Sequence, residues 1–288
     1  MKKILIGFFI IIILSVVVWR LVQPNDLQII FLNVGQGDAG LIITPDRQVV
    51  LIDGGPGRVV LSKLGQHLPI TKRTIDLVVL THPHADHLSG LLEVVKRYEV
   101  RLIVWTGVIH TSPEYLAWLK VIKQKNIPVK VVKGGQNINL GEVKLQIVWP
   151  RQNLAGKVVE DLNASSLVIR LVYGRSNVLW TGDINQSEEL EILSSGQPIQ
   201  SQIIKIAHQG SASSSSLAWL KAVKPIWAII SVGHNNYGHP HKIVLDRLGH
   251  LLIKILRTDK QGDIKFLSNG ENWHLSKPGL LFLTGMLP

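Results

Sequence analysis

The segment Thr81-His82-Pro83-His84-Ala85-Asp86-His87 places three imidazoles and a carboxylate within six residues. Neutral imidazole is the commonest metal-ligating side chain. The pattern H-x-H-x-D-H directly follows Leu77-Val78-Val79-Leu80, an apolar run that reads as a buried strand, so its side chains share one strand-end loop and can converge on metal. His82 and His84 suit one cation, and Asp86 and His87 suit a second beside it. Polar caps on a turn are the bland alternative, which three imidazoles at this density argue against. The chemistry open to such a cation pair is metal-assisted hydrolysis.

The chain has no cysteine, which excludes disulfides, thiolate zinc sites and cysteine nucleophiles and leaves His, Asp, Glu and Asn as ligands. Gly35-x-Gly37 is no dinucleotide fingerprint, because the third glycine and the following helix are missing; it reads as a tight turn, and Asp38 as structural. Gly210-Ser211-Ala212-Ser213-Ser214 runs into a helix-like segment from Ser214 to Val223. Amides and hydroxyls there suit either a phosphate cradle or an ordinary N-cap cluster.

Positioning these groups requires strands. Strand-like runs recur at Leu27 to Leu32, Leu41 to Ile43, Val49 to Ile52, Leu77 to Leu80 and Leu102 to Trp105, with helix-like segments from Ser62 to His67 and Ser89 to Tyr98. The second half repeats the style. Strands are expected at Val143 to Val148, Ser166 to Val172, Val178 to Trp180, Ile203 to Ile206 and Ile226 to Val232, and helices at Ser187 to Leu193, Ser214 to Val223 and Lys242 to Leu248. Meandering strands, then strands alternating with helices in each half, give an αββα sandwich. At 46% hydrophobic residues the chain is too apolar for disorder, and no linker divides residues 27–275.

Met1-Lys2-Lys3 precedes an uncharged apolar stretch from Ile4 to Trp19 with no small-residue cleavage site. This reads as one N-terminal transmembrane or signal-anchor helix over residues 1–23, with residues 24–288 as the hydrolase domain. The two lysines place the N-terminus inside and the remainder outside the cytoplasm, a single-pass membrane protein, with secretion as the alternative. The formal net charge of +11 suits polyanionic partners such as nucleic acid, teichoic acid or anionic lipid, or serves solubility alone.

Further landmarks follow in order: Val34-Gly35-Gln36-Gly37-Asp38-Ala39, Ile52-Asp53-Gly54-Gly55, Asn163-Ala164-Ser165-Ser166, Trp180-Thr181-Gly182-Asp183-Ile184, Lys205-Ile206-Ala207-His208-Gln209-Gly210-Ser211 and Ser231-Val232-Gly233-His234-Asn235-Asn236-Tyr237-Gly238-His239-Pro240. With the histidine motif, and in this spacing, the chain resembles the metallo-β-lactamase superfamily, and specifically the hydrolase domain of the ComEC family of competence DNA-uptake proteins, over most of residues 28–267.

The resemblance implies two divalent cations, Zn2+ or Mn2+, held by His82, His84, Asp86, His87, Asn163, Asp183 and His208. Asp183 would bridge the pair and Asp53 would orient a ligand histidine from beneath the loop. Asp86 and His239 are the catalytic candidates, and Ser211, Asn235 and Tyr237 the substrate-binding ones. Two departures stand out. Asn163 replaces a histidine found in many relatives, as in the ComEC-like branch, and adds a harder oxygen donor; as a residue on its own it reads equally as loop. His208-Gln209 stands where the family usually has two adjacent histidines.

The function expected is a phosphodiesterase, a ComEC-like nuclease acting on DNA outside the cytoplasmic membrane. The alternatives are hydrolysis of another ester (a teichoic-acid phosphodiester, a lactam or a lactone) and a non-catalytic anchored DNA-binding module. One N-terminal segment cannot form the polytopic channel of full-length uptake proteins, so a transport role is not implied.

Overall fold

A computed structural model describes residues 25–276. The expected anchor over residues 1–23 and the apolar tail from Leu280 to Leu287 lie outside the described residues.

The chain runs through β1 (Leu27–Phe31), β2 (Gly40–Ile43), β3 (Val49–Ile52), α1 (Val59–His67), β4 (Thr74–Ile75), β5 (Leu77–Val79), α2 (Ala85–Arg97), β6 (Glu99–Val100), β7 (Ile103–Trp105), α3 (Pro113–Gln124) and β8 (Val129–Val131). It continues as β9 (Asn137–Leu140), β10 (Val143–Trp149), β11 (Val168–Tyr173), β12 (Ser176–Trp180), α4 (Gln186–Ser194), β13 (Ile203–Lys205), α5 (Leu217–Val223), β14 (Trp227–Ile230), α6 (Lys242–His250), β15 (Lys254–Arg257), α7 (Thr258–Gln261), β16 (Ile264–Ser268) and β17 (Trp273–Ser276).

One sheet has the order β17-β16-β1-β2-β3-β5-β7-β8 and the other β15-β14-β13-β12-β11-β10-β9. Strand alternation builds three layers of core from this arrangement. Leu27, Ile29 and Phe31 of β1 and Val178 and Trp180 of β12 point between the sheets, where Phe31 stacks on Trp180 at 5.5 Å. Ile30 and Val78 point the other way, under Leu88, Leu91 and Val95 of α2 and Trp118 of α3. Leu179 and Ile204 pack outward against Trp219 of α5 and Leu248 of α6. The expected αββα sandwich is the observed one.

Each sheet changes from antiparallel to parallel pairing along its width. β3, β5, β7 and β8 run parallel in the first, and β12, β13, β14 and β15 in the second. Connections leaving the carboxyl ends of parallel strands are where open α/β sheets place their ligands. Asp53, Thr81, Asp183 and the His208 turn follow β3, β5, β12 and β13 in this way.

Among the described residues no helix is long and apolar enough to cross a membrane.

Candidate metal centre

The first sheet brings Asp53 and the histidine motif together through close backbone packing. Gly54 and Gly90 lie main chain to main chain, and a Cβ on either would collide with the other's backbone. Gly54 N donates to His87 O at 2.8 Å, and Gly90 N to Gly55 O at 2.9 Å. The first turn of α2, carrying Asp86 and His87, is thereby seated on the end of β3. Asp53 is 1% exposed and fully engaged: Oδ1 accepts from Thr81 N at 2.8 Å, and Oδ2 accepts from Thr81 Oγ1 at 2.7 Å and from His87 Nδ1 at 2.8 Å. That last bond fixes the His87 tautomer and turns Nε2 toward the second sheet.

Asp183 meets it there. Its Oδ2 lies 3.2 Å from His87 Nε2, and its backbone N donates to Ser166 Oγ at 3.1 Å. His82, 1% exposed, approaches His84 with Nε2 to Nδ1 at 3.0 Å. Asp86, a third exposed at its side chain, reaches His87 Nε2 at 3.5 Å. Asn163 sits in a 3-10 turn beside His84, and its Oδ1 is buried with no partner.

Donor atoms of His82, His87 and Asp183 lie within 4.8 Å of one another, all buried. This set fits a divalent cation. Burial, helped by the charge on His87, holds the His82 pKa well below its ordinary value, so its ring is neutral with a lone pair to give; burial lowers His84 likewise. At His87, burial opposes the charge, but Asp183, Asp86 and Asp53 outweigh it and raise the pKa. A cation placed among these carboxylates would take over the compensating role of that proton.

In a second close group, Asp38, Asp53 and His87, the Asp53 oxygens and His87 Nδ1 are paired with each other and with Thr81, whereas Asp38 Oδ1 is buried with no partner. Lys205, 2% exposed, sets its ammonium against Asp38 Oδ2, 3.5 Å from Asp183 Oδ1, and donates to Gly182 O at 3.2 Å. Burial opposes its charge, yet Asp38 and Asp183 outweigh that and keep it protonated. The sequence reading passed over Lys205 and took Asp38 as a turn residue. The available signal was a lysine inside the apolar run Ile203-Ile204-Lys205-Ile206, where an unpaired charge would not be tolerated.

The turn after β13 sets the directions of two side chains. His208 and Gln209 both take left-handed backbone angles, φ 50° each. His208 lies against His239, ring centroids 5.4 Å apart, and joins no group of three close donors among the described residues, while Gln209, 2% exposed, points inward. Gln209 Nε2 lies 3.2 Å from Asp183 Oδ2 and 3.5 Å from His87 Nε2. Of the two readings of the serine-rich helix start, phosphate cradle or N-cap cluster, the hydrogen bonds are those of a cap cluster. The carboxylate of Glu189 accepts from the amides of Ser215 and Ser216, Ser216 Oγ caps Trp219 N, and Ser211 Oγ turns to Ser213 Oγ at 3.0 Å.

A cleft of ≈ 840 Å3 opens over the centre, lined by Gln36, Asp86, His208, Asn235, Tyr237 and His239 among others. Asn235 builds its wall: Oδ1 accepts from Tyr237 N and His239 N, and Nδ2 donates to Gly233 O and His239 O. Its amide is thus spent on the loop. Tyr237 is 69% exposed, its ring tilted 35° to that of His239 at 5.8 Å. Gln36 Oε1 accepts from Gly233 N, which directs its Nε2 to His239 Nδ1 at 3.5 Å. Nδ1 is then the acceptor and the His239 proton resides on Nε2. Burial, with His208 and His241 beside it, lowers the His239 pKa to about 4.

Fold and donor set together define a metal-dependent hydrolase, and the sequence comparisons agree. The profile of the Metallo-beta-lactamase superfamily matches residues 32–234, and the chain belongs to that superfamily. Within it, the chain is similar to ComE operon protein 3 of Bacillus subtilis (strain 168), 29% identical over 262 residues, which cover 84% of this chain and 33% of that protein. It is also similar to Competence protein ComA of Neisseria gonorrhoeae, 28% identical over 247 residues, covering 85% and 33%. The chain therefore spans about a third of these relatives' length. Among solved structures, the metallo-beta-lactamase fold protein YhfI from Bacillus subtilis shares the fold with a TM-score of 0.55 at 14% identity, covering 81% of this chain and 96% of that one.

Proposed function

We propose that the protein is a phosphodiesterase that cleaves DNA with the help of two divalent cations, Zn2+ or Mn2+, and that its cleavage site faces the outside of the cytoplasmic membrane. The observation that carries this reading is the convergence of His82, His87 and Asp183 beneath an open, histidine-lined cleft. The net charge of +11 and the similarity to competence proteins favour DNA over a neutral ester.

His82, His84 and Asn163 would hold one cation and Asp86 and His87 the other, with Asp183 between them. When bound, the cations would activate water at neutral pH and neutralise charge developing on the phosphate. Asp53 keeps His87 aimed, and against the cost of burial His87 and then Lys205 keep Asp183 ionised by facing it with positive charge. His239, neutral at pH 7, offers its Nε2 proton as a hydrogen bond to the leaving oxygen rather than acting as a charged acid. Tyr237 presents an exposed ring in the lining of the cleft, suited to stacking with a base of the substrate. Asn235, in the cleft lining, shapes the loop that carries Tyr237 and His239, and Ser211 closes the turn after Gln209.

The test is hydrolysis of DNA and of a small generic phosphodiester by the purified protein, with and without chelator. Cleavage of the small ester but not DNA would transfer the assignment to a cell-wall phosphodiester or another ester, and DNA binding without any hydrolysis would make the protein a binding module.

A further inference from the structure

We infer that Gln209, not His208, supplies the last protein donor to the cation position shared by Asp86, His87 and Asp183, which makes that position the weaker of the two. The inference rests on the two-cation reading above and extends it to a residue specific to this chain.

The geometry comes from the two consecutive left-handed residues after β13. Neither is glycine, so each conformation is strained and must be held by its surroundings. Gly210, at φ +87°, meets Pro240 so closely that a Cβ would lie 2.6 Å from the proline Cβ. The turn is therefore locked to the loop that carries His239. Its backbone is further pinned where His208 N donates to Asp183 Oδ1 at 3.2 Å and Ser211 N to His208 O at 2.8 Å. With the turn fixed, both residues line the cleft, Gln209 the more deeply buried of the two.

Gln209 is the inward one. Its amide nitrogen spans both Asp183 oxygens, at 3.4 and 3.2 Å, and His87 Nε2 at 3.5 Å. These are the atoms a cation there would also touch. A half-turn of the amide presents Oε1 to a cation in place of the N–H that bonds the carboxylate without one. His208 joins no group of three close donors among the described residues, and its buried Nδ1 has no partner. An amide oxygen is neutral and harder than imidazole, so the position binds Zn2+ less tightly than a histidine-completed one and loses it first to a chelator.

The experiment is metal titration of the full chain, stripped by chelator and followed by calorimetry and elemental analysis with Zn2+ alone, for wild type, Q209H, Q209M and H208A. Wild type should take up one cation tightly and one weakly. Q209H should tighten the weak step by roughly tenfold or more, Q209M should weaken it by a similar factor, and H208A should leave both steps within about twofold. Retention of the weak step in Q209M together with its loss in H208A would overturn the inference. Because Q209H is a gain of binding, misfolding of Q209M does not rescue it: no tightening in a folded Q209H also counts against it. Metal uptake is read without substrate, so failure to cleave DNA would strike the proposed function and leave this result standing.

Discussion

The ammonium of Lys205 lies 3.5 Å from the carboxylate of Asp183, with both side chains 2% exposed. A positive charge built into β13 thus stands behind the carboxylate that joins the two halves of the site, and Asp38 completes the pair from the turn before β2. Replacing Lys205 by methionine keeps the volume and deletes the charge, leaving Asp38 without its close positive partner and Asp183 with His87 alone. The expected loss is about 3–5 kcal/mol in urea denaturation, larger than for any exposed lysine. A change below about 1 kcal/mol would show that the pair is not worth its burial.

A second ion pair sets an acid limit on the fold. Asp263 accepts from Lys63 Nζ at 2.8 Å, His67 Nε2 at 2.7 Å and Asn33 N at 2.8 Å, tying α1 to the start of β16. Burial opposes its charge, but these donors outweigh it and lower its pKa to about 2. Because the folded value is depressed below the unfolded value of about 3.9, the stabilisation is complete above that value and is lost as pH falls from about 4 to about 2. It amounts to about 2 kcal/mol, the side chain being only 14% exposed. Asp263→Asn should remove this part of the slope of stability against pH, measured by denaturation at several pH values between these limits.

Glu189 adds a second cap to the start of α5 beside Ser216. Its carboxylate is fully buried and receives two amides at the start of α5, while Arg247 Nη1 donates to the carbonyls of Ser214 and Ser215 at 3.0 and 3.2 Å. Glu189→Ala should cost about 1–3 kcal/mol and expose residues 211–216 to protease, with Glu189→Gln milder because it keeps an acceptor. Unchanged proteolysis in the alanine variant would mean that the turn holds itself.

The topology expected from Lys2-Lys3 and the apolar stretch after it puts the metal centre outside the cytoplasm. Protease added to intact spheroplasts should digest the domain while a cytosolic marker survives. Protection of both would place the domain inside.

Much of the site was legible because its residues follow apolar runs: His82, Asp183 and Asp53 each end a strand whose pattern is plain, and β10, β12 and β14 fall within a residue or two of their expected spans. Sheet order was not. β1 pairs with β16, more than two hundred residues away, through contacts that no local pattern encodes. Helix α3 was passed over although Ser112 caps it and Pro113 opens it, both readable start signals. Which of His208 and Gln209 turns inward depends on two backbone angles that neither residue favours alone, and the filling of the α5 N-terminus depends on Glu189 arriving from another helix. Composition carries neither fact.

The most direct test of the proposed metal-dependent hydrolysis of DNA is a paired assay of cleavage and binding for wild type and His82→Ala. Wild type loaded with Mn2+ or Zn2+ should cut DNA and stop on chelation, with Mn2+ at least as effective, since Asn163, Asp86 and Asp183 dilute the imidazoles with oxygen donors. His82→Ala should abolish cutting yet keep much of the DNA affinity, which should fall with salt in both proteins because the basic surface is untouched. Equal cleavage by the two proteins, or cleavage by wild type that persists after the metal is removed, would contradict the assignment.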